Sequence, residues 1–132
     1  RTLADIDIIG APFLAIGKDE GEVAKAKQAL KQHIAFYAST RTYHGVLEHH
    51  GWQDLGAQLH QLSKEGKWTE LPKLITDDML DEWAIIATYD DFAKAVKLRC
   101  NGLFSTVLLD LSPGLRADED RVKSIVTELH AD

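Results

Sequence analysis

Cysteine is almost missing from this chain; Cys100 stands alone. A single thiol closes no internal disulfide, so a reducing compartment, most simply the cytoplasm, is expected. No apolar run approaches the roughly 20 residues that a membrane span needs, and no stretch has the form of a signal peptide. Positive charge is short as well: 15 Lys and Arg stand against 21 Asp and Glu, a formal net charge of −6. Phosphate backbones require a basic face, and anionic membrane surfaces attract the same residues. Nucleic acid and membrane are therefore both excluded as expected partners. Proline occurs three times, and there is no low-complexity linker and no internal repeat. What is present is ordinary for a globular protein: 45% of the 132 residues are hydrophobic. That length suits one domain or part of a larger one. The chain opens on Arg1 and runs almost at once into an apolar stretch, which suggests a piece of a longer polypeptide.

Residues 6–16, within "DIDIIGAPFLAIG", are apolar and β-branched, the pattern of a buried strand interrupted near Pro12, which cannot donate to a ladder. Asp19 and Glu22 form a capping box ahead of a long helix reaching about Ala38, with Val23, Ala26, Leu30, Ile34 and Tyr37 at helical spacing. Ser39 and Thr40 end it or cap the next helix, which carries Tyr43, Val46 and Leu47 and stops at Gly51. Leu55, Leu59 and Leu62 share one face of a further helix ending at Gly66. Thr69 and Thr76 are placed to cap "ELPKLI" and "DDMLDEW". Residues 83–88 then form a short buried strand, and Thr88 caps a helix with Phe92 and Val96 inward and Asn101-Gly102 at its end. Residues 103–111 form another strand, "SPG" turns the chain, and a last helix carries Val122, Ile125, Val126 and Leu129 on one stripe.

Strands alternating with helices imply parallel pairing through right-handed crossovers. Three buried parallel strands make a poor free-standing sheet, because both faces of a parallel sheet need cover. They make good sense as the last three βα units of an eight-unit barrel, a fold of roughly 250 residues. The expected class is therefore α/β: residues 1–132 as a single partial domain, the C-terminal half of a (β/α)8 TIM barrel, with a helical insertion over residues 39–83. Exposed strand edges and half-barrel surfaces predict a homo-oligomer, most simply a dimer.

Four stretches, "FYAST" with a tyrosine soon after, "HGW" then "DLG", "LSKEGKW" and "ITDDMLDEWAI", resemble the C-terminal part of luciferase-like flavin monooxygenases. The likeness covers about residues 5–111 and is closest to the branch using the deazaflavin coenzyme F420. The resemblance implies an oxidoreductase or monooxygenase acting on a small organic substrate with FMN or coenzyme F420, bound at the carboxyl ends of the barrel strands. It also implies that this piece alone lacks a complete coenzyme site and is inactive. Two stretches depart from the family pattern. Ala87 and Tyr89 flank Thr88 where the family usually has glycine and proline, and Arg41 follows "FYAST" where proline is frequent. The alternative is a non-catalytic half-barrel module that dimerises.

The conspicuous residues lie in 34–52, which hold Phe36, Tyr37, Tyr43, His44, His49, His50 and Trp52. Packing at a helix end is the plainer reading; Tyr37, Tyr43 and His44 as a substrate-pocket wall is the other. The histidine spacing matches no metal motif, so no metal is expected. Thr88, between a strand and a helix, is either an ordinary cap or a contact for a coenzyme phosphate. Asp110 reaches either the pocket mouth or the turn at Ser112. Cys100 has no basic partner in sequence and is not read as a nucleophile. The acidic pairs at helix starts complement the helix dipole. Catalytic residues are not identifiable from the sequence.

Overall fold

The structure, a computed structural model, describes residues 2 and 5–131. The chain divides into two compact units, Arg1–Ala26 with Trp83–Asp132, and Lys27–Glu82. The segment read as an insertion, 39–83, is thus joined in its unit by the second half of the long helix.

In the first unit the expected strand over residues 6–16 is split by Pro12 into β1 (Ile9–Gly10) and β2 (Phe13–Gly17). β2 pairs in parallel with β3 (Ala84–Thr88), from Phe13 opposite Ala84 to Gly17 opposite Thr88. β1 pairs in parallel with β4 (Thr106–Val107). The strand expected over residues 103–111 is therefore only two residues long, and Pro12 explains why. Gly10 O accepts from Leu108 N at 2.8 Å; the next rung of a parallel ladder needs an N–H at position 12, and proline has none. β2 and β3 stand side by side in chain order as successive barrel strands do, whereas β4 lies against β1.

Three helices cover these strands. α5 (Phe92–Cys100), α6 (Pro113–Ala117) and α7 (Glu119–His130) bury Phe92, Val96, Cys100, Leu115 and Ile125 against Ile16, Ile85 and Ala87. On the α7 stripe Ile125 is buried and Val122 and Leu129 are half-buried, but Val126 is exposed. "SPG" is more than a turn: Ser112 Oγ accepts from Leu115 N at 3.4 Å and Pro113 opens α6, the position where a missing N–H costs nothing.

α1 (Glu20–Ala38) crosses from the first unit into the second. Asp19 Oδ1 accepts from Glu22 N at 2.9 Å, and Glu22 Oε2 reaches back to Lys18 N at 3.0 Å, a reciprocal cap as the sequence suggests. Val23, Leu30 and Ile34 are buried on its stripe, but the row continues through Ala35 and Ala38, not Tyr37. The i+4 step from Ile34 lands on Ala38, and Tyr37 is about 100° away around the helix.

The second unit continues with a 3-10 turn (Arg41–Tyr43), α2 (His44–His49), α3 (Gln53–Lys64), a 3-10 turn (Leu71–Leu74) and α4 (Asp77–Trp83). Leu47, Leu59, Leu71, Ile75 and Leu80 are buried along this stretch, beside Leu30, Ile34, Ala35 and Ala38 of α1. α2 and α3 end alike. Gly51 (φ 77°) and Gly66 (φ 71°) take the left-handed conformation, and Trp52 N and Lys67 N donate back to Leu47 O and Leu62 O, which satisfies the last carbonyls. Thr76 Oγ1 accepts from Met79 N at 3.3 Å. Thr69 caps nothing; the turn at Leu71 begins from Glu70 without a side-chain cap.

Asp77 ties α4 to α1, its carboxylate 2.7 Å from both Lys27 and Lys31. Hydrogen bonds from Lys27 and then Lys31 lower its pKa to about 2. A depressed carboxylate contributes stability above its unfolded pKa and loses it as pH falls through the folded value. Between about pH 4 and pH 2, the melting temperature of Asp77→Asn should therefore fall less steeply than that of the parent chain. Parallel curves over that window would show that the ion pairs do not stabilise the unit.

Candidate functional site

The carboxyl ends of β2 and β3 meet at Gly17 and Thr88, joined by Tyr89 N donating to Gly17 O at 2.8 Å. A Cβ on Gly17 would lie 2.5 Å from Glu22 Cβ and 2.7 Å from Val23 N, so α1 departs directly over the strand end and only glycine fits. Thr88 is half-buried. Its hydroxyl donates to Asp91 Oδ2 at 3.3 Å and its carbonyl accepts from Asp91 N at 3.2 Å. α5 begins at Phe92 with Asp91 in the cap position, so Thr88 closes the preceding turn and does not itself cap the helix. The reason is local: the two residues after Tyr89 are aspartates, which favour turn geometry.

The neighbouring polar groups are paired among themselves. Tyr89 Oη and Ser112 Oγ share a hydrogen bond of 2.9 Å, which links the turn after β3 to the cap of α6. Asp90 binds Arg121. Asp110, nearly fully exposed, pairs with Arg116 Nη2 at 2.9 Å, and Arg116 Nε donates to Leu111 O. Lys18 is raised by its hydrogen bond to Glu22, and Glu22 is lowered chiefly by the backbone bond from Lys18. A coenzyme phosphate at this rim would face the carboxylates of Asp90 and Asp91, with the Thr88 hydroxyl already engaged and Arg121 held by Asp90. These residues by themselves do not fit such a group.

The second unit holds an array of ring contacts. Trp68 and Phe36 lie 6.2 Å apart, Phe36 and Tyr37 5.9 Å, and Tyr37 and Tyr43 5.4 Å, while His33 stacks on Tyr37 at 5.0 Å. Phe36 is 54% exposed, Tyr37 38%, Tyr43 45% and Trp68 45%; these rings form a surface, not a core. His44, the first residue of α2, is half-buried, and its Nε2 is buried without a hydrogen-bond partner. Its ring lies 6.3 Å from that of His60, whose Nδ1 is 3.0 Å from Ser39 O. A Cβ on Gly56 would come within 3.1 Å of the His44 ring, so that glycine admits the imidazole. Tyr37 and Tyr43 are therefore brought together, with His44 next in chain. His50 belongs to a different arrangement, stacked on Trp52 at 4.7 Å. His33, Trp68 and His60 join the array without having been singled out; the i, i+4 spacing of His33 and Tyr37 was a usable signal, whereas Trp68 and His60 carried none. Among the described residues no group of three or more His, Cys, Asp or Glu is placed to hold a metal ion, and no helix is long and apolar enough to cross a membrane.

Residues 1–105 match the family model for luciferase-like monooxygenases. This chain belongs to the luciferase-like monooxygenase family. The family match agrees with the mixed α/β, parallel-stranded architecture as part of a luciferase-like barrel, and luciferase-like proteins generally use flavin-type coenzymes. An uncharacterized protein of Mycobacterium tuberculosis strain H37Rv is 45% identical over 96 residues, 73% of this chain and 28% of that protein. An uncharacterized protein of Mycobacterium bovis matches to the same extent. The chain thus spans little more than a quarter of the length of these relatives.

The Tyr89–Ser112 bond generates a prediction. Tyr89→Phe removes only the hydroxyl and should cost about 1 kcal/mol, measured by urea unfolding, with the same loss in a Ser112→Ala background falling to near zero. Equal costs in both backgrounds would show that the two side chains are not coupled.

Proposed function

We propose that this chain is the C-terminal part of a flavin- or deazaflavin-dependent oxidoreductase or monooxygenase acting on a small organic substrate, and that it is inactive alone. Family membership over residues 1–105 carries the reading, and the 28% share of the relatives' length explains why one chain end carries so little of a site. The coenzyme is F420 or FMN, the stretches from "FYAST" to "DEWAI" resembling the F420-using branch. In this reading Tyr37, Tyr43 and His44 belong to the wall of the substrate pocket. The exposed rings offer flat apolar faces, and the buried, unpartnered His44 Nε2 is a polar group awaiting a partner, since such groups are costly unless bonded. The paired rim around Thr88 supports a structural role for that residue in the isolated chain. Fluorescence titration of the 132-residue chain with FMN and with coenzyme F420 is expected to show no saturation at micromolar concentration. Saturable binding of either coenzyme in that range would overturn the claim that the piece lacks its site.

A second reading, a dimerising half-barrel module, draws on the strand arrangement. β4 is bonded to β1 by a two-residue ladder, and Ile9, Leu103 and Leu108 are each about 60% exposed. Exposed apolar residues beside short strands favour self-association. Sedimentation equilibrium should show mass rising with concentration, and Ile9→Lys with Leu108→Lys should suppress it. A monomer at all concentrations would remove this reading without touching the first.

A further inference from the structure

A cavity of about 590 Å³ opens in the first unit, lined by Val96, Cys100, Phe104, Val107, Leu109 and Leu129, with Lys97, Asn101, His130 and Ala131 at its mouth. Its size lies within the range of small-molecule sites. It is formed at the carboxyl ends of α5 and α7. In a βα unit the helix ends where the next strand begins, so this is the rim opposite Thr88 and Ser112, away from where barrel active sites are built.

The lining combines apolar side chains with the polar groups of Lys97, Asn101 and His130, and among the described residues no acidic one contributes to it, although the chain has 21 Asp and Glu and a net charge of −6. The Lys97 ammonium donates to Ala131 O, a neutral carbonyl, and it has no carboxylate partner among the described residues. A carboxylate is the stronger acceptor for an ammonium group. Asn101 and His130 add further donors beside it.

We propose that this cavity is a binding site for a small amphipathic monocarboxylate, its apolar body between Phe104, Val96 and Leu129 and its carboxylate on Lys97. Cys100 is 4% exposed, and its thiol, held neutral by burial, reports on the floor of the site. 4-Phenylbutyrate and its neutral amide are suitable probes against the full 132-residue chain, with binding measured by calorimetry and the rate of Cys100 alkylation by intact mass. The acid is expected to slow alkylation several-fold. The amide, and the acid against Lys97→Met, should each bind about tenfold more weakly, the effect of losing one charge-assisted hydrogen bond. Val96→Trp should fill the cavity and abolish binding; where circular dichroism shows that this variant does not fold, Leu129→Phe takes its place. Lys123→Met, on the exposed side of α7, should bind like the parent chain. Equal affinity for acid and amide, unchanged affinity in Lys97→Met, or binding that leaves Cys100 alkylation unaffected would each overturn the assignment, as would no binding at millimolar concentration. None of these outcomes depends on the coenzyme reading above.

Discussion

The parallel ladder between β2 and β3 brings two strand ends to one level, Gly17 opposite Thr88, and the bond from Tyr89 N to Gly17 O extends it by one step. Both chains then leave into helices, α1 over Gly17 and α5 after Asp91. Everything polar at this rim follows from that juxtaposition. The acidic turn residues meet Arg121 and Arg116, and Tyr89 reaches the cap of α6 because β3 delivers it there. A parallel pair is stable only when covered, and α5, α6 and α7 supply that cover through Phe92, Leu115 and Ile125. The exposed Ile9, Leu103 and Leu108 mark where the cover runs out.

The two units spend their polar groups differently. In the first, Thr88, Asp90, Asp91, Asp110, Arg116 and Arg121 satisfy one another, so the rim has little capacity left for an anion. In the second, the rings of Phe36, Tyr37, Tyr43 and Trp68 stay exposed and His44 keeps an unpartnered nitrogen. Surface of that kind is available for recognition, whereas a closed network is structural. This contrast directs attention to the aromatic array more than to Thr88, although Thr88 is the residue at a strand's carboxyl end. The cavity beside β4 repeats the pattern at the opposite rim, with mixed apolar and polar walls, a cation facing a neutral carbonyl and no acid among its described lining residues.

Local signals were readable where a residue acts on its own backbone. Pro12 broke the first strand, Asp19 and Glu22 capped α1, Thr76 capped α4, and Gly51 and Gly66 ended α2 and α3. Where a residue's role depends on a distant partner, the sequence was ambiguous or misleading. The apolar run over residues 103–111 has the composition of a full strand, yet it pairs over two residues because the proline stands across from it. Tyr37 fits the helical stripe by spacing and still faces outward, since Ala38 continues the buried row.

By itself, then, the sequence determined the family, the alternation of strands with helices, the parallel hand of the pairing and most helix ends, because these depend on chain-local propensity and on periodicity. Only the tertiary structure decided which strand lies beside which, that Asp77 would gather Lys27 and Lys31, that Tyr89 would bind Ser112, and that Trp68 and His60 would join the aromatic and histidine groups. Each of these joins residues far apart in the chain, and separation along the chain leaves no mark in composition or spacing from which proximity could be read.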